Sequence, residues 1–361
     1  MARLNQAKLD LAALRHNIGH ARNLAPQSKV MAVVKANAYG HGAVAIAKAL
    51  EPLADALAVA CIEEALELRA AGVTAPILLL EGFFEESELA IIAAENFWLC
   101  IHNEWQLGCL EAATLQNTLT VWLKIDTGMH RLGIDANSAE LAHKRLKNST
   151  NVADNIVLYT HFASADDLGS TQTQQQIDRF NKVCANLPGE RSAANSAGLL
   201  GWPGSHFDWI RPGYMLYGNS PFPTPHENTA VLQPVMTLIS AIISIRDVQT
   251  GESVGYGASW TADRQSRIAT VTVGYGDGYP RAARNGTPVL VNGQRASLAG
   301  RVSMDMITVD ITDLADIKLG DEVVLWGKDL TVGEVAEYAG TIGYELTTRM
   351  PARTPRIIAR P

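Results

Sequence analysis

Over its first two-thirds the chain alternates short apolar runs with longer amphipathic stretches, the pattern of βα units around a buried parallel sheet. Candidate strands are "VMAVV" (30–34), "ALAVA" (56–60), "ILLL" (77–80), "FWLCI" (97–101), "TVWLKI" (120–125), "NIVLYTH" (155–161), "RSAAN" (191–195) and "DWIRPGYMLYG" (208–218). Between them lie helical patterns such as "IEEALELRAAG", closed by Gly72 as helices often are, and "TQQQIDRFNKVCANL". Eight strands with seven crossovers predict a (β/α)8 barrel of the TIM type. "RSAAN" is poor in strand formers, so a doubly wound open sheet is the alternative topology. From about residue 236 the period becomes two, in "TLISAIISIRDV", "RIATVTVGYG", "PVLVNGQRASL" and "MITVDIT", with Asn292-Gly293 as a hairpin signal. The expectation is an α/β protein: residues 1–235 form the barrel and residues 236–361 a mostly β domain, joined through the loop "NSPFPTPHENT".

Composition narrows the partners. Of 361 residues 47% are hydrophobic and 19% charged, which excludes disorder, and no apolar run reaches the roughly 18 residues of a membrane span. A net charge of −7 without a basic tract excludes the electrostatic footprint of a nucleic-acid binder. The four cysteines show no zinc-ligand spacing, so no metal site is expected, and the N-terminus "MARLNQAKLDLAAL" lacks a secretory h-region. The cytoplasm and a small-molecule partner are expected.

Barrel enzymes carry their chemistry at the C-terminal ends of the strands, commonly with a phosphate site after strands seven and eight. Here Lys35 ends strand one, Lys124 and Asp126 end strand five, His161 ends strand six, Asn195 and Ser196 end strand seven, and Arg211 with Gly213 lies in strand eight. Taken singly, each has a bland reading: a solvated loop charge, a hydrogen-bonded core histidine, a turn glycine. Together they fall on one rim. Ser196 with the backbone near Gly213 can cradle an anion. A buried lysine favours its neutral amine, which attacks an aldehyde to form a Schiff base. Lysine plus phosphate cradle suggests pyridoxal phosphate, with Arg211 at the level of the pyridine ring and His161 beside it.

The block "AVVKANAYGHG" (32–42) resembles the cofactor-attachment signature of bacterial alanine racemases. "WLKIDTGMHRLG", "THFASAD", "NSAG", "RPGYMLYG", "VGYGASW", "VGYGDGYPR", "AGRVSMDM" and "RTPRI" are similar to family motifs in the same order. The resemblance implies a cytoplasmic, D-alanine-forming isomerase that uses pyridoxal 5'-phosphate and works as a homodimer with shared active sites. It implies that Lys35 holds the cofactor and exchanges a proton on one face of the substrate α-carbon. Tyr39, Ser196, Gly213 and Tyr214 would contact the phosphate, with Asn195 beside them; Arg131 would bond the phenolic oxygen; His161 and Arg211 would support the ring. Lys124 matches a lysine that is carbamylated in several members. Tyr256 matches the second base, donated by the partner subunit. A phenol is a weak base at neutral pH, so it needs a proton relay, for which His161 and Arg211 are candidates. Arg131, Met304 and Asp305 would contact substrate, and Asp166, Tyr275, Arg281 and Arg301 would line the access corridor. Some members carry a C-terminal tyrosine on the phosphate; the position ahead of "RTPRI" is Ala352, so that role is not carried over.

Three further readings compete. A racemase of serine or of broader specificity has the same motifs, because pocket volume is not legible in sequence. A non-catalytic pyridoxal-phosphate carrier shares the barrel but has no use for a β domain with Tyr256 and Met304. A decarboxylase of basic amino acids on a similar plan fits the blocks less well.

Overall fold

The computed structural model describes residues 3–359. Its strands are β1 (Gln6–Leu9), β2 (Lys29–Val33), β3 (Ala56–Val59), β4 (Ile77–Leu79), β5 (Trp98–Ile101), β6 (Val121–Asp126), β7 (Ile134–Asp135), β8 (Val157–Tyr159), β9 (Arg191–Ser192) and β10 (Trp209–Ile210). The second part holds β11 (Met236–Val248), β12 (Ser253–Val254), β13 (Trp260–Thr261), β14 (Ser266–Val271), β15 (Pro288–Val291), β16 (Gln294–Leu298), β17 (Ile307–Asp310), β18 (Glu322–Trp326) and β19 (Arg356–Ile358).

Eight parallel strands, in the spatial order β5-β4-β3-β2-β10-β9-β8-β6, close through β5–β6 pairing into a barrel. The open-sheet alternative is thereby excluded. Period-two burial decides which side chains face where: on β2, Val30 and Ala32 turn to the helical layer while Met31 and Val33 fill the interior. The floor of that interior is aromatic. Trp98, Trp122 and Trp209 meet with ring centroids 5.5 to 6.2 Å apart, plugging one end and leaving the C-terminal end open.

The seventh and eighth barrel strands, β9 and β10, are shorter than expected, two residues each. Ser192 uses its hydroxyl on the Trp209 carbonyl at 2.8 Å, and the "GYMLY" of strand eight becomes a 3-10 turn, Tyr214–Tyr217, that returns toward the rim. The helix Ile62–Ala70 is followed by Gly72 at φ +87°, the left-handed conformation common where a glycine closes a helix, as expected of it.

The second domain is a ring of antiparallel strands, β14-β17-β16-β15-β18-β11, closed by β11–β14. Strand β11 pairs with β1, β18 and β14, and a register shift between Ile242 and Ser244 bends it where it passes to β14. The Asn292-Gly293 turn has φ +48° and +77°, as a two-residue hairpin requires. One feature crosses the expected division at residue 236. Strand β1 pairs antiparallel with β11 and parallel with β19, burying Ala7 and Leu9 in the β-domain core, so the N-terminus belongs to that sheet. The domain also carries two helices, Val332–Tyr338 and Gly343–Thr348. The second packs on the loop that follows β2: a Cβ on Gly40 would lie 1.8 Å from the Thr347 carbonyl oxygen. Among the described residues no helix is long and apolar enough to cross a membrane.

Candidate active site

A cavity of about 580 Å³ opens at the C-terminal rim of the barrel. It is lined by Lys35, Tyr39, Lys124, Arg131, His161, Asn195, Ser196, Arg211, Gly213 and Tyr214, every barrel residue that the motif resemblance assigns to cofactor contact.

Lys35 leaves β2 and opens a left-handed turn: Ala36, Asn37, Ala38 and Tyr39 have φ between +51° and +54°. Such residues cost roughly 1–2 kcal/mol each, so neighbours must hold them. Ala36 N–H donates to Glu64 Oε1 at 2.6 Å, and the Asn37 side chain accepts from Ala43 N–H at 2.7 Å. His41 Nδ1 bonds the Ala38 and Tyr39 carbonyls at 3.1 and 3.0 Å, and Arg356 bonds the Gly40 carbonyl at 3.0 and 2.9 Å. Burial lowers the His41 imidazole to about 4, which keeps it neutral. The strain sits where Lys35 and Tyr39 must both point into the cavity.

Arg211 is buried, with Nη1 donating to Ser192 Oγ at 2.5 Å and Nη2 to the Thr160 and Ala193 carbonyls at 2.7 and 3.1 Å. None of these partners is a carboxylate. Burial lowers the guanidinium to about 10, so it stays charged at neutral pH. Lys124 is held below its ordinary value by burial, then by Arg211, Arg131 and Lys35, partly offset by Cys100. The His161 imidazole is held well below its usual range by burial and by the same cations. Tyr159 lies between the charges, its ring 5.4 Å from Lys124 Nζ and 5.0 Å from the Arg211 guanidinium carbon. Its hydroxyl bonds the Leu80 carbonyl at 3.2 Å and meets Cys100 Sγ at 3.0 Å.

Asp126, named from the sequence as a rim residue, does not line the cavity. It holds the loop that delivers Arg131: Oδ1 accepts from the backbone N–H of Gly128, Met129 and His130, at 2.9 to 3.1 Å. Ser196 Oγ accepts from Gly213 and Met215 N–H at 3.0 and 3.2 Å, which ties the last two rim loops together and engages the Gly213 N–H that was expected to face a phosphate. Gly213 is required for approach, since a Cβ there would meet the Tyr39 hydroxyl at 2.5 Å.

Tyr344 and Thr348 of the helix Gly343–Thr348 complete the wall. This corrects the reading made at Ala352: the chain does carry a C-terminal tyrosine at the site, eight residues earlier. Burial pushes the Tyr39 phenol up to about 12 and raises those of Tyr214 and Tyr344, so all three remain neutral hydroxyls. Tyr159 was also missed, although it is two residues before His161 in a strand, where equal parity means the same face.

The remaining assigned residues lie elsewhere in the chain. Tyr256 is 70% exposed and lines a second cavity of about 410 Å³ with Arg301, Ser303 and Met306. Met304 and Tyr275 are also exposed, as are Asp166 and Arg281, and Asp305 is half-buried. None of these lines the barrel cavity.

A closed parallel barrel with a cationic rim cavity and an appended β domain, compared with known proteins, defines an amino-acid racemase, an isomerase. Residues 9–221 match the family "Alanine racemase, N-terminal domain" and residues 235–358 match "Alanine racemase, C-terminal domain". The chain belongs to the alanine racemase family. It is 53% identical over 351 residues to alanine racemase of Pseudomonas taetrolens, covering 97% of this chain and 98% of that one. Catabolic alanine racemase of Pseudomonas putida matches at 53% over 351 residues with the same coverage. The crystal structure of biosynthetic alanine racemase from Pseudomonas aeruginosa superposes with a TM-score of 0.96 at 49% identity, covering 99% of this chain and 100% of that one.

Proposed function

We propose that this chain interconverts L- and D-alanine with pyridoxal 5'-phosphate, in a homodimer whose two sites each draw residues from both subunits. One observation carries the reading: Lys35, Lys124, Arg131 and Arg211 line one cavity in which Glu81 is the only carboxylate among the described residues. Such a concentration of cations calls for anions, and a phosphate with a substrate carboxylate supplies them.

The residues fit the cofactor. Ser196, Tyr39, Tyr214 and Tyr344 would offer neutral hydroxyls to its phosphate, Arg211 would offer N–H donors to its ring, and Lys35 would supply the amine. When bound, the cofactor supplies a conjugated ring that accepts the electron pair left on the substrate α-carbon. Arg211, charged at neutral pH and without a carboxylate partner, opposes protonation of any nitrogen set against it. That favours return of the proton to the α-carbon over side reactions. Lys35 exchanges the α-proton on one face.

The other face requires a second base. The exposure of Tyr256 in the single chain, beside Arg301, Ser303 and Met306, supports its delivery to a partner's cavity; a residue serving its own barrel would be enclosed there. Met304 and Asp305 would then approach the substrate carboxylate, and Asp166, Arg281 and Arg301 would border the access route. Lys124, with its neutral amine favoured, is suited to add carbon dioxide and release a proton, giving a carbamate anion that faces Arg131. The carrier reading leaves this second cluster without a role.

Purified protein supplied with pyridoxal 5'-phosphate and L-alanine should form D-alanine to near equality, measured by chiral chromatography. Absence of D-alanine from protein that has bound the cofactor would reject the reading, and faster turnover of serine than alanine would reject its substrate.

A further inference from the structure

The segment that carries Met304 is exposed but pinned. Met304 is 53% and Tyr275 42% exposed, and surface loops ordinarily move. Here the Tyr275 turn and residues 303–306 are bonded back to back. Tyr275 N–H donates to the Ser303 carbonyl at 3.1 Å and Gly276 N–H to the Met304 carbonyl at 2.9 Å. The approach leaves no room for a side chain, because a Cβ on Gly274 would stand 2.4 Å from the Met304 carbonyl oxygen.

A charge network closes around this contact from both chain ends. The Asp277 side chain is fully buried, and its two oxygens accept from Arg3 Nη1 at 2.5 Å and Nη2 at 2.8 Å. Arg3 Nε donates to Thr272 Oγ1 at 2.8 Å, and Nη2 also reaches the Asp305 carbonyl at 2.7 Å. From the opposite side Arg353 pairs with Asp277 Oδ1 at 3.0 Å and with Asp305 Oδ1 at 2.5 Å. Asp277 Oδ2 further accepts from Gly274 N–H at 2.9 Å. A two-pronged arginine–carboxylate pair defines orientation as well as attraction. The third residue of the chain thus grips the Tyr275 turn and the 303–306 loop at once.

We propose that Arg3 is a positioning residue for substrate recognition: it holds the Met304–Asp305 loop in the one geometry that meets the carboxylate in the partner's cavity. The proposal rests on the dimeric reading given above. Nothing in the motif blocks points to it, because Arg3 lies far from them in sequence and contacts neither barrel cavity nor Tyr256.

The test uses cofactor-loaded enzyme and the variants Arg3→Ala and Arg3→Lys. In hydrogen–deuterium exchange, Arg3→Ala should speed exchange in residues 274–278 and 303–306 by about 10-fold or more, leaving barrel segments unchanged. KM for both alanine enantiomers should rise about 10-fold with kcat within about two-fold, and Arg3→Lys, which keeps the charge and loses the fork, should fall between. Unchanged exchange in 303–306 overturns the proposal, as does a KM within about two-fold of wild type. A fall in kcat with KM intact also overturns it, since that marks lost enzyme instead of lost position. Failure of the functional reading looks different: wild type itself would be inert toward both enantiomers, while exchange still reports whether Arg3 holds the loop.

Discussion

Tyr214 of the barrel and Tyr344 of the β domain stack face to face, with ring centroids 3.5 Å apart and planes 16° from parallel. The stack walls the cavity with two neutral phenols and joins the domains at the functional rim. Gly343 permits it, since a Cβ there would meet the Tyr214 hydroxyl at 2.1 Å. Tyr344→Phe, which keeps the stack and deletes one hydroxyl, should weaken cofactor binding about 10- to 100-fold, the worth of one hydrogen bond to an anionic phosphate of about 1.5–3 kcal/mol. Gly343→Ala should weaken it further and lower the melting temperature. Titration of apo-protein with pyridoxal 5'-phosphate, followed by absorbance, checks both; full affinity in Tyr344→Phe would remove that hydroxyl from the phosphate site.

Lys35→Ala should eliminate the visible absorption band of the bound cofactor and reduce racemisation by about 10³-fold or more, since both anchor and base are lost. A retained band in that variant would move the attachment site to another lysine.

Tyr256→Phe should slow exchange of the α-proton of L-alanine far more than that of D-alanine, by about 10²-fold or more. The measurement is deuterium incorporation from heavy water, at early times, for each enantiomer separately. Equal slowing in both directions would end the division of labour between Lys35 and Tyr256.

Lys124, depressed by burial and by three cations, should bind carbon dioxide. Protein equilibrated with ¹³C-bicarbonate should show a carbamate resonance that disappears in Lys124→Ala. A spectrum identical in the two proteins would leave Arg131 facing a plain amine.

His41 couples stability to pH. Its folded value of about 4 lies below the unfolded value near 6.5. Stability is therefore fully present above about 6.5 and is lost as pH falls toward 4, where only the unfolded chain accepts the proton, by at most about 3 kcal/mol. Thermal unfolding of wild type should weaken across that window more steeply than that of His41→Gln. Parallel curves would show that His41 protonates freely in the fold.

What the sequence made legible follows from range. The barrel strands announce themselves through local runs such as "VMAVV", and Lys35, Arg131 and Arg211 through short motifs, because both depend on neighbours within a dozen residues. "RSAAN" was ambiguous because serine and alanine are weak strand formers, and Ser192 is held in the sheet by pairing with Trp209 and by its hydroxyl on the Trp209 carbonyl. Tyr344 went unseen because its role comes from packing against Tyr214, 130 residues away, and Arg3 because its partners sit more than 260 residues downstream. The left-handed turn at Ala36–Tyr39 was hidden for another reason: alanine and tyrosine do not advertise positive φ, the single Asn37 among them is too little to mark a four-residue turn, and tertiary bonds impose it.

Strand β1 lies between β11 and β19, so one of its neighbours comes from the middle of the chain and the other only from the last strand. The β19 side of β1 stays unzipped until that strand has been made. Sealing β1 against β19 makes completion of this fold a slow, long-range event, and makes a chain cut short before β19 open to association with its own kind.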